Sequence, residues 1–261
     1  FWRLQGDHPP VYHKMLMGHH NSISCLAHGP DDLLATLSDG GSIRLWNVEN
    51  GKLLRVVSGY GRLIGASAFS PDGSLLYQGD SSGKVRVWDL NKRRFVASIQ
   101  AHTGPIWVVA AHPDGKTIAT TGDDRHVRLW DVDAQHCLHA FSGHQGPVFT
   151  MAFNQDGSIL ASAGVSHAIL LWNTREVEHA APLARIETAD DVWSLAFDAD
   201  GTHLVSGHMN GSATIWDLES RRPQLTLQHG GLPVGALRYG SDGRTLMTND
   251  NHDLLKFWDI Q

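Results

Sequence analysis

Six tryptophans stand in register along the chain: Trp46, Trp88, Trp130, Trp172, Trp216 and Trp258, separated by 42, 42, 42, 44 and 42 residues. Each lies in a variant of one pentapeptide: "IRLWN" at 43–47, "VRVWD" at 85–89, "VRLWD" at 127–131, "ILLWN" at 169–173, "ATIWD" at 213–217 and "LKFWD" at 255–259. A fixed period of this length is the mark of a repeat architecture. A unit this small cannot bury its apolar face alone, so the units must pack into one body. That overrides the one or two separate domains that 261 residues would otherwise suggest.

Residues 101–131 show what one unit contains. Ile106, Val108 and Ala110 alternate with their neighbours, the turn Pro113-Asp114-Gly115 follows, and then come Thr117–Thr120, Gly122-Asp123-Asp124 and Val127–Trp130. Short period-two runs separated by Asp-Gly turns predict antiparallel strands joined by hairpins. The same turn returns at Asp72-Gly73, Asp156-Gly157, Asp200-Gly201 and Asp242-Gly243, with Pro30-Asp31-Asp32 in the first repeat. After the tryptophan comes one more run, such as "KLLRVV" at 52–57 or "HCLHAF" at 136–141. Four strands in about 42 residues make a propeller blade.

On these residues the sequence resembles the WD-repeat (WD40) β-propeller family from about residue 11 to its end. The Gly-His half of the family signature stands as Gly18-His19, Ala101-His102 and Gly143-His144, and it is replaced by Gly59-Tyr60, Glu187-Thr188 and His229-Gly230 elsewhere. The resemblance implies an all-β fold of six recognisable four-stranded blades. The last repeat stops just after its third strand, and "VYHKMLM" at 11–17 reads as the closing fourth strand of that blade. Trp2, 44 residues before Trp46, keeps a seven-bladed ring open as the alternative. Residues 1–10 are then a lead-in segment or the remnant of a preceding blade. The chain begins at Phe1, with no initiator methionine and no signal-like segment, which also leaves a processed or partial chain open.

Repeat three carries the family's full polar set: His102, Thr120, Asp124 and Trp130. The resemblance implies a buried chain in which the indole donates to Thr120, Thr120 bonds His102, and Asp124 holds His102. Hydroxyl, imidazole and carboxylate also spell a hydrolase triad, but a mid-strand hydroxyl shared with an indole, with no nucleophile elbow, favours the structural role. The position of Asp124 is Gly40, Ser82, Ser166, Asn210 and His252 in the other repeats, which predicts less rigid blades there. Seventeen histidines invite a metal hypothesis, but adjacent His19 and His20 point to opposite strand faces and no ligand trio stands out. No metal and no cofactor is implied. Cys25 and Cys137, in different places of different repeats, form no disulfide framework and lean only slightly toward a reducing, cytoplasmic setting.

The net charge of −6 argues against a nucleic-acid partner held by bulk electrostatics, and no apolar run reaches the length of a membrane span. In the resembling family three positions per repeat reach the loop face: the two flanking the first apolar residue of the first strand, and the residue before the Asp124-type position. Repeats three to five place Trp107, Phe149, Trp193, Val165 and Met209 there, bordered by Asp123 and Asp191. The other repeats offer Ser24, Gly65 and Gly235. Clustered aromatics beside acids predict a docking surface for a partner protein or peptide with a basic segment, and a place as a subunit of a larger complex. The alternative is an accessory or sensor propeller of a larger enzyme or redox assembly.

Overall fold

The turns fix the strands. In repeat three Gly115 takes φ +73°, the left-handed conformation that an Asp-Gly reversal needs, and Asp114 Oδ1 accepts the N–H groups of Lys116 and Thr117 at 2.8 and 2.9 Å. Repeat one lacks the glycine, and Asp31 and Asp32 adopt φ of 51° and 59° in its place. Aspartate is one of the few other residues that visits this region. Each reversal sets an antiparallel register that carries through the sheet, with Ile118 opposite Trp130 and Trp130 opposite Cys137.

The computed structural model of the chain describes residues 2–5, 8–12, 15–57, 63–176, 181–240, 242–250 and 254–260, without side chains at 2–12 and 63–65. The described residues are all-β. Blades one to five are four-stranded sheets that run from Ile23–His28 to Lys52–Val57, Leu63–Phe69 to Arg94–Gln100, Ile106–Ala111 to His136–Phe141, Val148–Phe153 to Ala184–Glu187, and Val192–Phe197 to Arg222–Gln228. Blade six has three strands among the described residues: Val234–Tyr239, Thr245–Asp250 and Leu255–Asp259. Within each blade the strands lie in chain order, so the first strand is innermost and the next blade's first strand packs beside it. This is a six-bladed β-propeller.

Trp2–Gln5 and His8–Tyr12 form a separate two-stranded sheet, with Trp2 opposite Tyr12 and Arg3 opposite Val11. Of the closing strand expected over 11–17, residues 13 and 14 lie outside the described residues. Val11 and Tyr12 pair locally, and residues 15–19 carry no regular structure. A local hairpin costs less loop-closure entropy than pairing across the length of the chain.

The core is divided into seams between consecutive blades. Ala119, Val127, Leu129 and Phe141 of blade three pack against Val148, Met151, Leu160 and Trp172 of blade four, and equivalent residues repeat the arrangement along the chain. Burying each such Val or Leu contributes about 1.5–3 kcal/mol. Trp88, Trp130, Trp172, Trp216 and Trp258 each lie in the seam with the preceding blade, which explains their strict recurrence.

A buried indole N–H needs an acceptor. In blade three Trp130 Nε1 donates to Thr120 Oγ1 at 2.9 Å, Thr120 lies 2.7 Å from His102 Nε2, and His102 Nδ1 lies 2.8 Å from Asp124 Oδ1. The carboxylate can only accept, so Nδ1–H donates to it, and Nε2 of the neutral ring accepts the Thr120 hydroxyl proton. Arg128 holds the other carboxylate oxygen at 2.7 Å. The indole–hydroxyl–imidazole core recurs as Trp46–Thr36–His19, Trp172–Ser162–His144 and Trp258–Thr248–His229. Blade five, with Glu187-Thr188 in place of the Gly-His pair, draws its imidazole from its own second strand. His208 Nε2 lies 2.9 Å from Ser206 Oγ, which accepts from Trp216. Outside repeat three, what weakens is the anchoring of the imidazole. Ser166 stands 3.5 Å from His144, and Asn210 is engaged with Ser212 instead. Blade two places Gln78 at the hydroxyl position. Gly59, Tyr60, Asn251 and His252 lie outside the described residues.

Two expectations follow. Asp124→Ala leaves His102 Nδ1–H and Arg128 without their acceptor and should destabilise the protein by about 1–3 kcal/mol, whereas Ser166→Ala and Asn210→Ala should cost less. Thermal denaturation of the three variants checks this, and equal shifts would remove the special place of blade three. Burial holds the imidazoles of His102 and His208 below their usual pKa and, together with the charge of Arg185, that of His144 down at about 4. These groups stay neutral in the folded state while their unfolded counterparts take up protons below about pH 6.5. Stability should therefore be full above that pH and fall progressively toward pH 4. His144→Asn, with no titrating group, should flatten the acid limb of a Tm-against-pH curve.

Candidate functional site

The first strand of each blade carries an irregularity at a repeated place. The pairing register shifts between Ile106 and Val108, between Val148 and Thr150, and between Val192 and Ser194. Trp107, Phe149 and Trp193 are the extra residues of these three bulges. A bulged residue leaves the ladder and its side chain is re-aimed. The same place is Ser24 in blade one and Gly235 in blade six.

A second backbone feature brings the neighbouring turn to the bulge. The N–H groups of Asp123, Val165 and Met209 donate to the carbonyls of Pro105, Pro147 and Asp191 at 3.3, 3.0 and 3.1 Å. Asp39 makes the equivalent bond to Ser22 in blade one. The turn between the second and third strands is thereby tied to the entry of the first strand. Side chains from both meet on one face.

Across blades three to five the aromatic rings touch in sequence. Trp107 and Phe149 stand 5.3 Å apart at 82°, and Phe149 and Trp193 stand 5.0 Å apart at 56°. Both are edge-on or tilted contacts that ring quadrupoles favour. Trp107 and Phe149 are half-buried; Trp193, Val165 and Met209 are exposed. The rings thus form a row that packs on itself while one edge stays in water. Its border is acidic. Asp123 is exposed and its Oδ1 accepts the Trp107 indole N–H at 2.6 Å, while Asp191 Oδ1 lies 3.5 Å from His167 Nε2. Asp190 accepts the Asp191 N–H at 2.8 Å and adds a third carboxylate.

Beside Trp193 a cavity of about 500 Å³ opens along the first strands of blades four to six. Gln155, Asp198 and Arg238 bring polar groups to its wall, and Phe153 and Phe197 bring apolar ones. Arg238 and the cavity it lines were not legible from the repeat pattern, because opposed first strands contribute to it from positions 40 and more residues apart. Of the two other sites weighed from sequence, the hydroxyl of the triad-like set is inaccessible, since Thr120 is fully buried and already engaged with Trp130 and His102. Among the described residues no three His, Cys, Asp or Glu side chains stand close enough together to hold a metal ion.

A family profile described as "IFT122 first beta-propeller" matches residues 63–261, and one described as "WD domain, G-beta repeat" matches residues 11–47. Among curated relatives, human apoptotic protease-activating factor 1 is 40% identical over 70 residues, and the small ribosomal subunit protein RACK1y of Oryza sativa subsp. japonica is 35% identical over 65. These matches cover 23% and 24% of this chain and only 6% and 19% of the two relatives. Repeat spacing, blade construction and the longer profile agree: the chain belongs to the WD40-repeat β-propeller proteins, in the family described as IFT122 first beta-propeller.

Proposed function

We propose that this propeller is a non-catalytic scaffold that docks a partner protein or peptide on the loop face of blades three to five. The observation that carries the reading is the unbroken row Trp107–Phe149–Trp193, flanked by exposed Val165 and Met209. Propeller folds host many activities, so the assignment rests on this surface and not on the fold. Pre-packed aromatics supply large contact area with little rotamer entropy left to lose, the property of interface anchors. The acids Asp123, Asp190 and Asp191 favour a partner segment with Arg or Lys. Such a cation also fits the exposed face of Trp193. A WD40 propeller is consistent with a place inside a larger complex, and the rice relative is named as a ribosomal subunit protein. The human relative's name, a protease-activating factor, fits the second reading, an accessory propeller of a larger enzyme assembly.

Trp107→Ala with Trp193→Ala should abolish binding of the partner recovered with the wild-type protein, since anchors of this type contribute about 2 kcal/mol or more each, about a thousandfold together. The Tm should fall only modestly. Ser24→Ala and Arg93→Ala should bind as wild type. Asp191→Lys and added salt should both weaken binding of a basic partner. Unfolding of the double variant in place of lost binding would assign these rings to the core and move the site elsewhere.

A further inference from the structure

The chain is acidic as a whole, yet its positive charge is concentrated. Residues 52–94 hold eight of the 21 Lys and Arg and only three of the 27 Asp and Glu. Those three acids are engaged locally. Asp72 accepts from Ser70 and Ser74 in its own turn, Asp80 holds Arg86 at 3.0 Å, and Asp89 holds Lys92 at 3.0 Å. The turn before Lys52 adds one acid, Glu49. Lys52, Arg55, Arg93 and Arg94 have no carboxylate within ion-pair distance among the described residues.

Strand pairing gathers three of these cations at the outer mouth of one seam. Paired residues of an antiparallel sheet share a face. Arg55 pairs with Leu45, which packs into the seam with blade two, and Lys52 pairs with Asn47, two residues further along the same strand. Both side chains therefore lie on the blade-one wall of that seam, outside its apolar core. On the facing wall Phe95 pairs with Trp88, a member of the same seam, and the two rings meet edge-on at 5.7 Å. Phe95 remains 39% exposed. Arg93, in the turn just before it, takes φ +56°, and its carbonyl accepts from Arg55 Nη2 at 2.5 Å. That bond crosses the mouth and fixes the half-buried Arg55 guanidinium there. The residues equivalent to Arg55 and Phe95 are Ala97 and Cys137 in the seam between blades two and three, and Ala184 and Pro223 in that between blades four and five. Cation and aromatic ring face each other in none of these.

We infer that the mouth of the seam between blades one and two is a second docking site, which takes an acidic segment of a partner protein. Lys52, Arg55 and Arg93 hold its carboxylates, and Phe95 packs against an apolar side chain of the same segment. Charge complementarity selects the class of partner, and the guanidinium fork matches a carboxylate in two parallel bonds. The mouth lies between two sheets, so it admits one extended chain along the outer strands. A flat anionic membrane would meet the projecting turn first and leave the half-buried Arg55 out of reach. The turn that carries Arg93 stands at the opposite end of the third strand from the loop-face turn, so this site is independent of the aromatic row.

Fluorescence anisotropy of a labelled synthetic peptide, in which pairs of Glu alternate with single Leu, tests this on the full chain. Arg55→Gln should weaken binding about tenfold, and Lys52→Gln and Arg93→Gln, on exposed side chains, about two- to fivefold each. Added salt should weaken it further. Phe95→Ser should weaken it severalfold and leave the salt dependence unchanged. Arg221→Gln with Arg222→Gln, at a basic turn of blade five where Pro223 stands in place of the ring, should bind as wild type. So should Trp107→Ala with Trp193→Ala. The Tm of each variant separates a lost contact from a lost fold, and Lys52→Gln keeps the test open if Arg55→Gln unfolds. Absence of saturable peptide binding at low salt overturns the inference. So does equal weakening by the blade-five variant, which is diffuse attraction to any basic turn, or binding indifferent to Phe95. Binding of phosphatidylserine vesicles that depends on Arg93, with no binding of the peptide, assigns the turn to a membrane instead.

Discussion

A single blade cannot be a folded object, because its sheet is apolar on both faces and covers neither. Every other feature of the structure depends on the seam that two neighbouring blades make. The tryptophan is the bulkiest side chain in that seam, and its indole carries a donor into the dry interior. An unmade hydrogen bond there costs about 1–3 kcal/mol. Thr36, Thr120, Ser162, Ser206 and Thr248 each meet that demand from the adjacent strand. The hydroxyl that accepts from the indole also bonds an imidazole. In blades one, three, four and six the local solution therefore pins the third strand, the second strand and the loop before the first into one geometry.

This demand explains why the architecture was legible and where the reading fell short. Six tryptophans at a near-constant step, with Asp-Gly turns between them, specify strand number, order and register. The fourth strands at 52–57 and 136–141 stand where the sequence places them. His208 was not identified. Blade five has no histidine at the Gly-His position, and the repeat pattern says nothing about an imidazole reaching the same hydroxyl from two residues along its own strand. The chemistry is kept while the position changes. A signal was present all the same, in the spacing of Ser206 and His208 on a strand, where residues two apart share a face.

The loop face was legible in residue type and illegible in geometry. Ile106–Ala111 breaks strict alternation with six apolar residues in a row, a mark that reads equally as a buried strand. The structure resolves the break as a bulge, so Trp107 leaves the ladder while its neighbours stay in it. The same device recurs at Phe149 and Trp193. Ring contact between them depends on the spacing of adjacent blades, a quantity no linear pattern encodes.

Bulge and seam are two answers to one constraint. The inner end of each sheet is crowded by its neighbours, and a bulge there raises the local twist and turns a side chain out of the ladder. Where that side chain is small, as at Ser24, blade one has no ring to offer a partner. Where it is aromatic on three successive blades, the rings meet and half-bury one another, which lowers the solvation cost of keeping them at the surface. The polar networks beneath hold the strands that carry them, so that the row is presented on a rigid base. An asymmetric surface thus arises on a nearly symmetric scaffold by substitution at a single position per blade, and the repeat itself is unchanged.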